Sequence, residues 1–322
     1  MEMILMKAVV VRKPGGPEVL EYCDVPVPVV KKGWSLIKVL GFGINHSEIF
    51  TREGKSPSVK FPRILGIEAV GEIAESTDER RLPKGQRVMS FMGEMGRSFD
   101  GSYAEYALLP NKQLFPIHSD LKVEDLAAVP ETFYTAYGAL AGLQLKSGDS
   151  LLIRGGTSGV GVAAMRLVKT MLPKIKVTGT TRHVHKQKLM LKAGFDSVVF
   201  ENNDELTTLD KYNKILDLIG PKTVRNSLKL LKKFGIVSST GQLGGIWELN
   251  AFDPIFQIPN NRYLTSFYSG DVDATLLDQL LKIVSLNKIN TAPEKVFRLN
   301  EIRKAHEYLE SSRSFGKVVV IP

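Results

Sequence analysis

The chain has a single cysteine, Cys23, among 322 residues. One thiol cannot close an internal disulfide, and it cannot supply a thiolate-rich zinc site. Long apolar runs are missing too. No segment approaches the roughly 20 apolar residues that span a bilayer, so no membrane association is expected. The short apolar start runs straight into a strand-like pattern, Met6-Lys7-Ala8-Val9-Val10, without a small-residue cleavage site. It is not read as a signal peptide, and the cytoplasm is the expected location. A concentrated basic block is also absent. Net charge is +9, yet the cations are scattered over Lys31-Lys32, Arg80-Arg81, Lys186–Lys192 and Lys229–Lys233, without interleaved aromatics. That pattern favours a solvated surface plus a local phosphate site over a nucleic-acid-binding face.

What is present suits a globular protein, with 43% hydrophobic and 24% charged residues. The length suggests two domains, because single cores stop growing near about 250–300 residues. Residues 1–125 read as β-rich. Short apolar or alternating runs at 8–12, 34–40, 69–75, 87–91 and 102–109 are separated by Gly, Pro and Asn. Residues 123–140 read as helix, interrupted at Pro130. Beyond 148 the rhythm changes: strands at 150–153, 176–180, 198–200, 214–218 and 236–239 alternate with helices at 160–171, 184–192 and 224–232. Such alternation predicts a parallel, doubly wound α/β sheet. A final helix and the strand 317–321 close the chain.

The strongest local motif is Leu151-Leu152-Ile153-Arg154-Gly155-Gly156-Thr157-Ser158-Gly159-Val160-Gly161. An apolar strand enters a glycine turn and an apolar helix leaves it. Glycines admit a ligand close to the backbone, and a helix N-terminus offers free N–H groups and a positive dipole end. Gly156, Thr157, Ser158, Gly159, Val160 and Gly161 are therefore expected to bind the pyrophosphate of a dinucleotide. NAD-binding units place an acid about 20 residues later, on the ribose hydroxyl. Here the segment reads Thr178-Gly179-Thr180-Thr181-Arg182-His183-Val184-His185-Lys186, with no acid. Arg182 and Lys186, beside Thr181, would instead attract a 2′-phosphate, so NADPH is expected over NADH. His183 and His185, at a helix start, are expected to diverge rather than share a metal.

Further segments resemble the medium-chain dehydrogenase/reductase family, in its zinc-free quinone oxidoreductase (zeta-crystallin-like) branch. They include Gly15-Gly16-Pro17-Glu18-Val19-Leu20, Gly43-Ile44-Asn45, Gly66-Ile67-Glu68-Ala69-Val70-Gly71, Gly85-Gln86-Arg87-Val88, Gly101-Ser102-Tyr103-Ala104-Glu105-Tyr106, Thr135-Ala136-Tyr137-Gly138 and Gly316-Lys317. The resemblance implies a GroES-like β-rich catalytic domain (1–125 and 266–322), a Rossmann NADPH-binding domain (126–265), an active-site cleft, and a homodimer or homotetramer. It also implies that Thr240, Gly241 and Lys317 serve the cofactor.

Zinc-dependent relatives carry Cys where Asn45 stands and His where Ile67 stands; both ligand types are missing, so no metal is expected. Without a Lewis acid, an electrophilic acceptor such as a quinone or an enone is the expected substrate. The resemblance implies that Asn45 lies near the nicotinamide. Quinone reductases often carry Asp where Glu48 stands and Tyr where Phe50 stands, and Phe50 cannot donate a proton. Tyr134 offers an alternative phenol or simply packs. Two other readings stay open at this level: an alkenal or enoyl double-bond reductase, and an NADPH-binding protein with an RNA-binding or regulatory role.

Overall fold

A computed structural model describes residues 4–206 and 208–322. The N-terminal part is built from strands β1 (Leu5–Val11), β2 (Leu20–Pro26), β3 (Trp34–Ile44), β4 (Arg63–Ile64), β5 (Glu68–Glu75), β6 (Arg87–Phe91), β7 (Tyr106–Pro110) and β8 (Phe115–Pro116), with helices α1 (His46–Arg52) and α2 (Val123–Ala127). Strand β1 lies between β2 and β4 in a three-stranded sheet. It buries Val9, Val10 and Val11 in a row, as an inner strand covered on both faces must. The long β3 pairs with both β5 and β7, and breaks in its register with β5 let it curve around the core. That core includes Ile37, Phe42, Ile73, Val88, Tyr103 and Leu109, each worth about 1.5–3 kcal/mol on full burial.

Helix α3 (Pro130–Leu143) leads to the second sheet: β9 (Ser150–Arg154), β10 (Lys176–Thr181), β11 (Ser197–Phe200), β12 (Tyr212–Asp217), β13 (Leu231–Ser239) and β14 (Tyr263–Ser266). All its pairings are parallel. The strand order β11-β10-β9-β12-β13-β14 starts in the middle, runs to one edge, then crosses over and runs to the other. This is the Rossmann order, and its switch point lies between β9 and β12. The connecting helices are α4 (Gly159–Met171), α5 (Gln187–Ala193), α6 (Pro221–Lys229) and α7 (Pro254–Gln257). Leu151, Leu152, Ile153, Val177, Ile215 and Val237 are fully buried, which explains the unbroken apolar runs in the sequence.

After α8 (Ala274–Leu286) come β15 (Lys295–Arg298), α9 (Ile302–Glu310) and β16 (Val318–Ile321). Strand β16 pairs with β3, returning the chain to the first sheet. The chain divides into two units. One runs to Glu131 and takes in Gly270–Leu277 and Thr291–Pro322; the other holds Thr132–Ser269 and Asp278–Asn290. The sequence placed the divisions at 125/126 and 265/266. In the structure the later part of α8 belongs with the second unit, and no shift of composition marks that place.

A buried polar staple ties α1 to α9 in the first unit. Arg52, 1% exposed, donates from both terminal nitrogens to the Glu310 carboxylate and from Nε to the Gly15 carbonyl. Its NH1 also lies 3.0 Å from His306 Nδ1, and Tyr103 Oη lies 2.9 Å from His306 Nε2. A guanidinium only donates, so Nδ1 must accept; Nε2 then carries the hydrogen and donates to Tyr103. Burial, reinforced by Arg52, lowers the His306 pKa to about 3. An unfolded histidine titrates near about 6.5. Between these values the unfolded chain binds the extra proton, so stability falls as pH drops, by about 1.4 kcal/mol per pH unit. Chemical denaturation at pH 7 and pH 5 is expected to show about 2 kcal/mol more loss in the wild type than in His306→Gln. Equal losses in the two proteins would contradict the buried neutral imidazole.

Candidate functional site

At the end of β9 the chain turns through Gly155, whose φ of 77° is a left-handed conformation that favours glycine. Ser158 caps α4, its side chain accepting from the Gly161 N–H at 3.1 Å. A Cβ on Gly161 would lie 2.5 Å from the Gly155 carbonyl oxygen, so helix and turn meet at a distance only glycine permits. Among the described residues no acceptor takes the N–H groups of Gly159 and Val160. The turn therefore presents free donors at the positive end of a helix, beside the switch point of the sheet. Thr157 completes it, half-buried.

Strand β10 ends next to this turn: the Gly155 N–H donates to Thr180 Oγ1 at 3.1 Å. Thr181 is buried, and its hydroxyl accepts from the His183 N–H. Arg182 is exposed, whereas Lys186 is only 5% exposed. Burial and then the Arg182 charge lower the Lys186 pKa. Burial, with Lys186, Arg182 and His185, likewise lowers that of His183. His183 and His185 do not diverge as the sequence suggested; their rings sit 5.4 Å apart at 33°. The segment is a 3-10 turn over Val184–Lys186, and His183 precedes it in extended backbone (φ −117°, ψ 110°), where side chains two positions apart point to the same side. The resulting group is cationic and lacks a carboxylate of its own. One acid beside the end of β10, Glu201, escaped the sequence reading. Its Oε1 is bound to Arg154 at 2.7 Å and its Oε2 accepts from Thr180. Arg154 itself is fully buried and also held by Asn226 and the Asp204 carbonyl. Thr240 and Gly241 follow β13, where both N–H groups donate to the Asp217 carbonyl at the end of β12. A Cβ on Gly241 would strike the Leu218 carbonyl.

A second polar group lies in the first unit. Asn45 precedes α1, Glu68 begins β5 and Lys317 precedes β16. The Lys317 ammonium lies 2.5 Å from Glu68 Oε1 and 2.6 Å from Asn45 Oδ1, while Asn45 Nδ2 donates to Glu68 Oε1 at 2.9 Å. Glu68 Oε2 accepts from the Glu131 N–H. Both charges are buried, a state tolerable only when they are paired and hydrogen-bonded. Gly43 makes the room: a Cβ there would run into Lys317 Cε and Glu68 Oε1. Glu48, one turn into α1, is also buried, and burial raises its pKa to about 8. Tyr134 lies in the other unit, fully buried, with its ring 5.7 Å from that of Phe267. The second unit thus gathers the glycine turn, Thr181, Arg182, Lys186, Thr240 and Gly241 at its strand ends, and the first unit joins Asn45 to Lys317.

The profile described as "Alcohol dehydrogenase GroES-like domain" matches residues 31–119, and the one described as "Zinc-binding dehydrogenase" matches residues 193–320. The chain is 30% identical over 333 residues to a quinone oxidoreductase of Lama guanicoe, with 98% of each chain covered. It is 27% identical over 328 residues to the NADPH-dependent alkenal/one oxidoreductase, chloroplastic, of Arabidopsis thaliana, covering 98% of this chain and 80% of that one. Among solved structures, the quinone oxidoreductase from Coxiella burnetii matches with a TM-score of 0.83 at 26% identity, over 99% of this chain and 100% of that one. Zinc does not fit the residues present. Glu68 is already paired with the Lys317 ammonium, and among the described residues no group of three or more His, Cys, Asp or Glu is arranged to hold a metal.

Proposed function

We propose, for a chain that belongs to the medium-chain dehydrogenase/reductase family and to its quinone oxidoreductase branch, that this NAD(P)H-dependent oxidoreductase uses NADPH, needs no metal and reduces a quinone. The observation that carries the cofactor assignment is the segment Arg182–Lys186 after β10, which has cations and no acid of its own, together with a glycine turn with free N–H groups. Gly156–Gly161 would hold the pyrophosphate, Arg182 and Lys186 the 2′-phosphate, and Thr181, Thr240 and Gly241 the edges of the site. Bound there, NADPH supplies a hydride.

The chain's own contribution is orientation and electrostatics. Lys317 has three ammonium hydrogens, and Asn45 and Glu68 take two of them. The third is left to polarise the acceptor's carbonyl oxygen. Lys317 and Glu68 cancel in charge, so with Glu48 neutral the group does not repel an oxygen that becomes negative. Family membership also supports a homodimer or homotetramer working in the cytoplasm.

A second reading, reduction of an alkenal or enone at its β-carbon, is favoured by the likeness to the plant alkenal/one oxidoreductase. The loss of NADPH absorbance with a panel of quinones and a panel of alkenals separates the two. Faster turnover with quinones is expected. Alkenal preference would transfer the assignment to the second reading, and no turnover with either panel would defeat both.

A further inference from the structure

Glu48 is 1% exposed, and its Oε2 has no hydrogen-bond partner among the described residues. Its Oε1 has only long contacts, 3.5 Å to Asn45 Nδ2 and 3.5 Å to the Ile67 N–H. The titratable and charged groups that face it are Lys317 before β16, Glu68 on β5 and Tyr103. Behind Tyr103 stand His306 and Arg52, whose charge Glu310 meets. Lys317 is committed to Glu68 at 2.5 Å. Two buried carboxyls therefore share one ammonium, and the second has no counter-charge. A buried carboxyl so placed holds its proton.

We propose that Glu48 is the internal acid of the reduction, supplying the proton that the oxygen of the reduced acceptor takes up. This rests on the reading of the chain as a reductase of quinones or enones. Once the acceptor has gained the hydride, its oxygen carries the negative charge. The O–H bond of Glu48 breaks, an O–H bond forms on the acceptor, and the electron pair of the broken bond stays on Glu48 as carboxylate. A proton taken up from bulk solvent then restores the Glu48 carboxyl, so each turnover consumes one hydride and one solvent proton. Glu48 titrates at about 8, below the roughly 10 of a phenol, so the transfer to a hydroquinone anion runs downhill. A donor poised near the working pH is also the efficient one. The assignment fills the role that Phe50, lacking a hydroxyl, leaves open.

The test compares the full-length wild type with Glu48→Gln, which keeps the shape and loses the proton. With a quinone acceptor, kcat is expected to fall about 10²-fold, the alkaline limb near pH 8 to vanish, and the Kd for NADPH to stay within about twofold. Infrared difference spectra of the cofactor-free wild type supply a readout that needs neither turnover nor the variant. They should show a protonated-carboxyl carbonyl band that disappears as pH rises through about 8. Glu48→Gln with the wild-type rate and the same alkaline limb overturns the acid assignment, as does a wild-type spectrum without that band. A wild type that consumes NADPH with no quinone or alkenal overturns the reductase reading, and the acid with it. Turnover by the wild type matched by the variant overturns the acid alone.

Discussion

Replacing Lys317 with methionine is expected to destabilise the fold by about 3–5 kcal/mol, the usual cost of leaving one member of a buried ion pair alone. Glu68 is fully buried, and without the ammonium it keeps only the Asn45 amide and the Glu131 N–H. For a unit of this size the melting point should fall by roughly 6–20 °C. The cost belongs to the stranded charge, not to the lost side chain, because methionine fills most of the lysine stem's volume. Adding Glu68→Gln to Lys317→Met should therefore recover much of the loss, with a coupling of about 2 kcal/mol or more in the double-mutant cycle. Additive single effects would contradict the pairing. A Lys317→Met protein within about 1 kcal/mol of wild type would do so as well. Turnover should fall with Lys317→Met even below the melting transition, since the same ammonium is assigned to the acceptor's oxygen.

The second large effect concerns the cofactor. Arg182→Ala combined with Lys186→Ala is expected to weaken NADPH binding about 10²-fold or more, because each charge-assisted hydrogen bond to the phosphate contributes about 1.5–3 kcal/mol. NADH lacks that phosphate, and its Kd should move less than about threefold. Lys186 is expected to account for the larger share, since its buried charge is screened less than the exposed one of Arg182. Calorimetric titration of wild type and double variant with both cofactors is the check. Equal losses for NADPH and NADH would refute the phosphate assignment.

How far these sites were legible in the sequence depended on how local their chemistry is. The β9 turn was readable because strand, glycines and helix are contiguous, and the missing acid after β10 was visible from a nine-residue window, 178–186. The layout of alternating strands and helices followed from periodicity for the same reason. Asn45 and Lys317 were each singled out, but their contact spans 272 positions and no pattern announced it. Glu68 was singled out only as part of the Gly66–Gly71 motif; its partner lies 249 positions away. The glycine at Gly43 was noticed as part of a motif, while its reason, the passage of the Lys317 side chain, needed coordinates. The staple of Arg52, His306 and Glu310 left no signal, because a histidine in an amphipathic helix reads as surface until its burial is known. His183 and His185 were misjudged because i and i+2 positions diverge on an α-helix, whereas His183 stands in extended backbone before a 3-10 turn.

Hydride transfer to a quinone without a metal is assigned to a chain in which the Lys317 ammonium is paired with Glu68 and Asn45. The most direct test is the rate of quinone-dependent NADPH oxidation by the full-length protein before and after exhaustive chelation. An unchanged rate is expected, with no gain when zinc is added back. Loss of activity in chelator, restored by zinc, would contradict it.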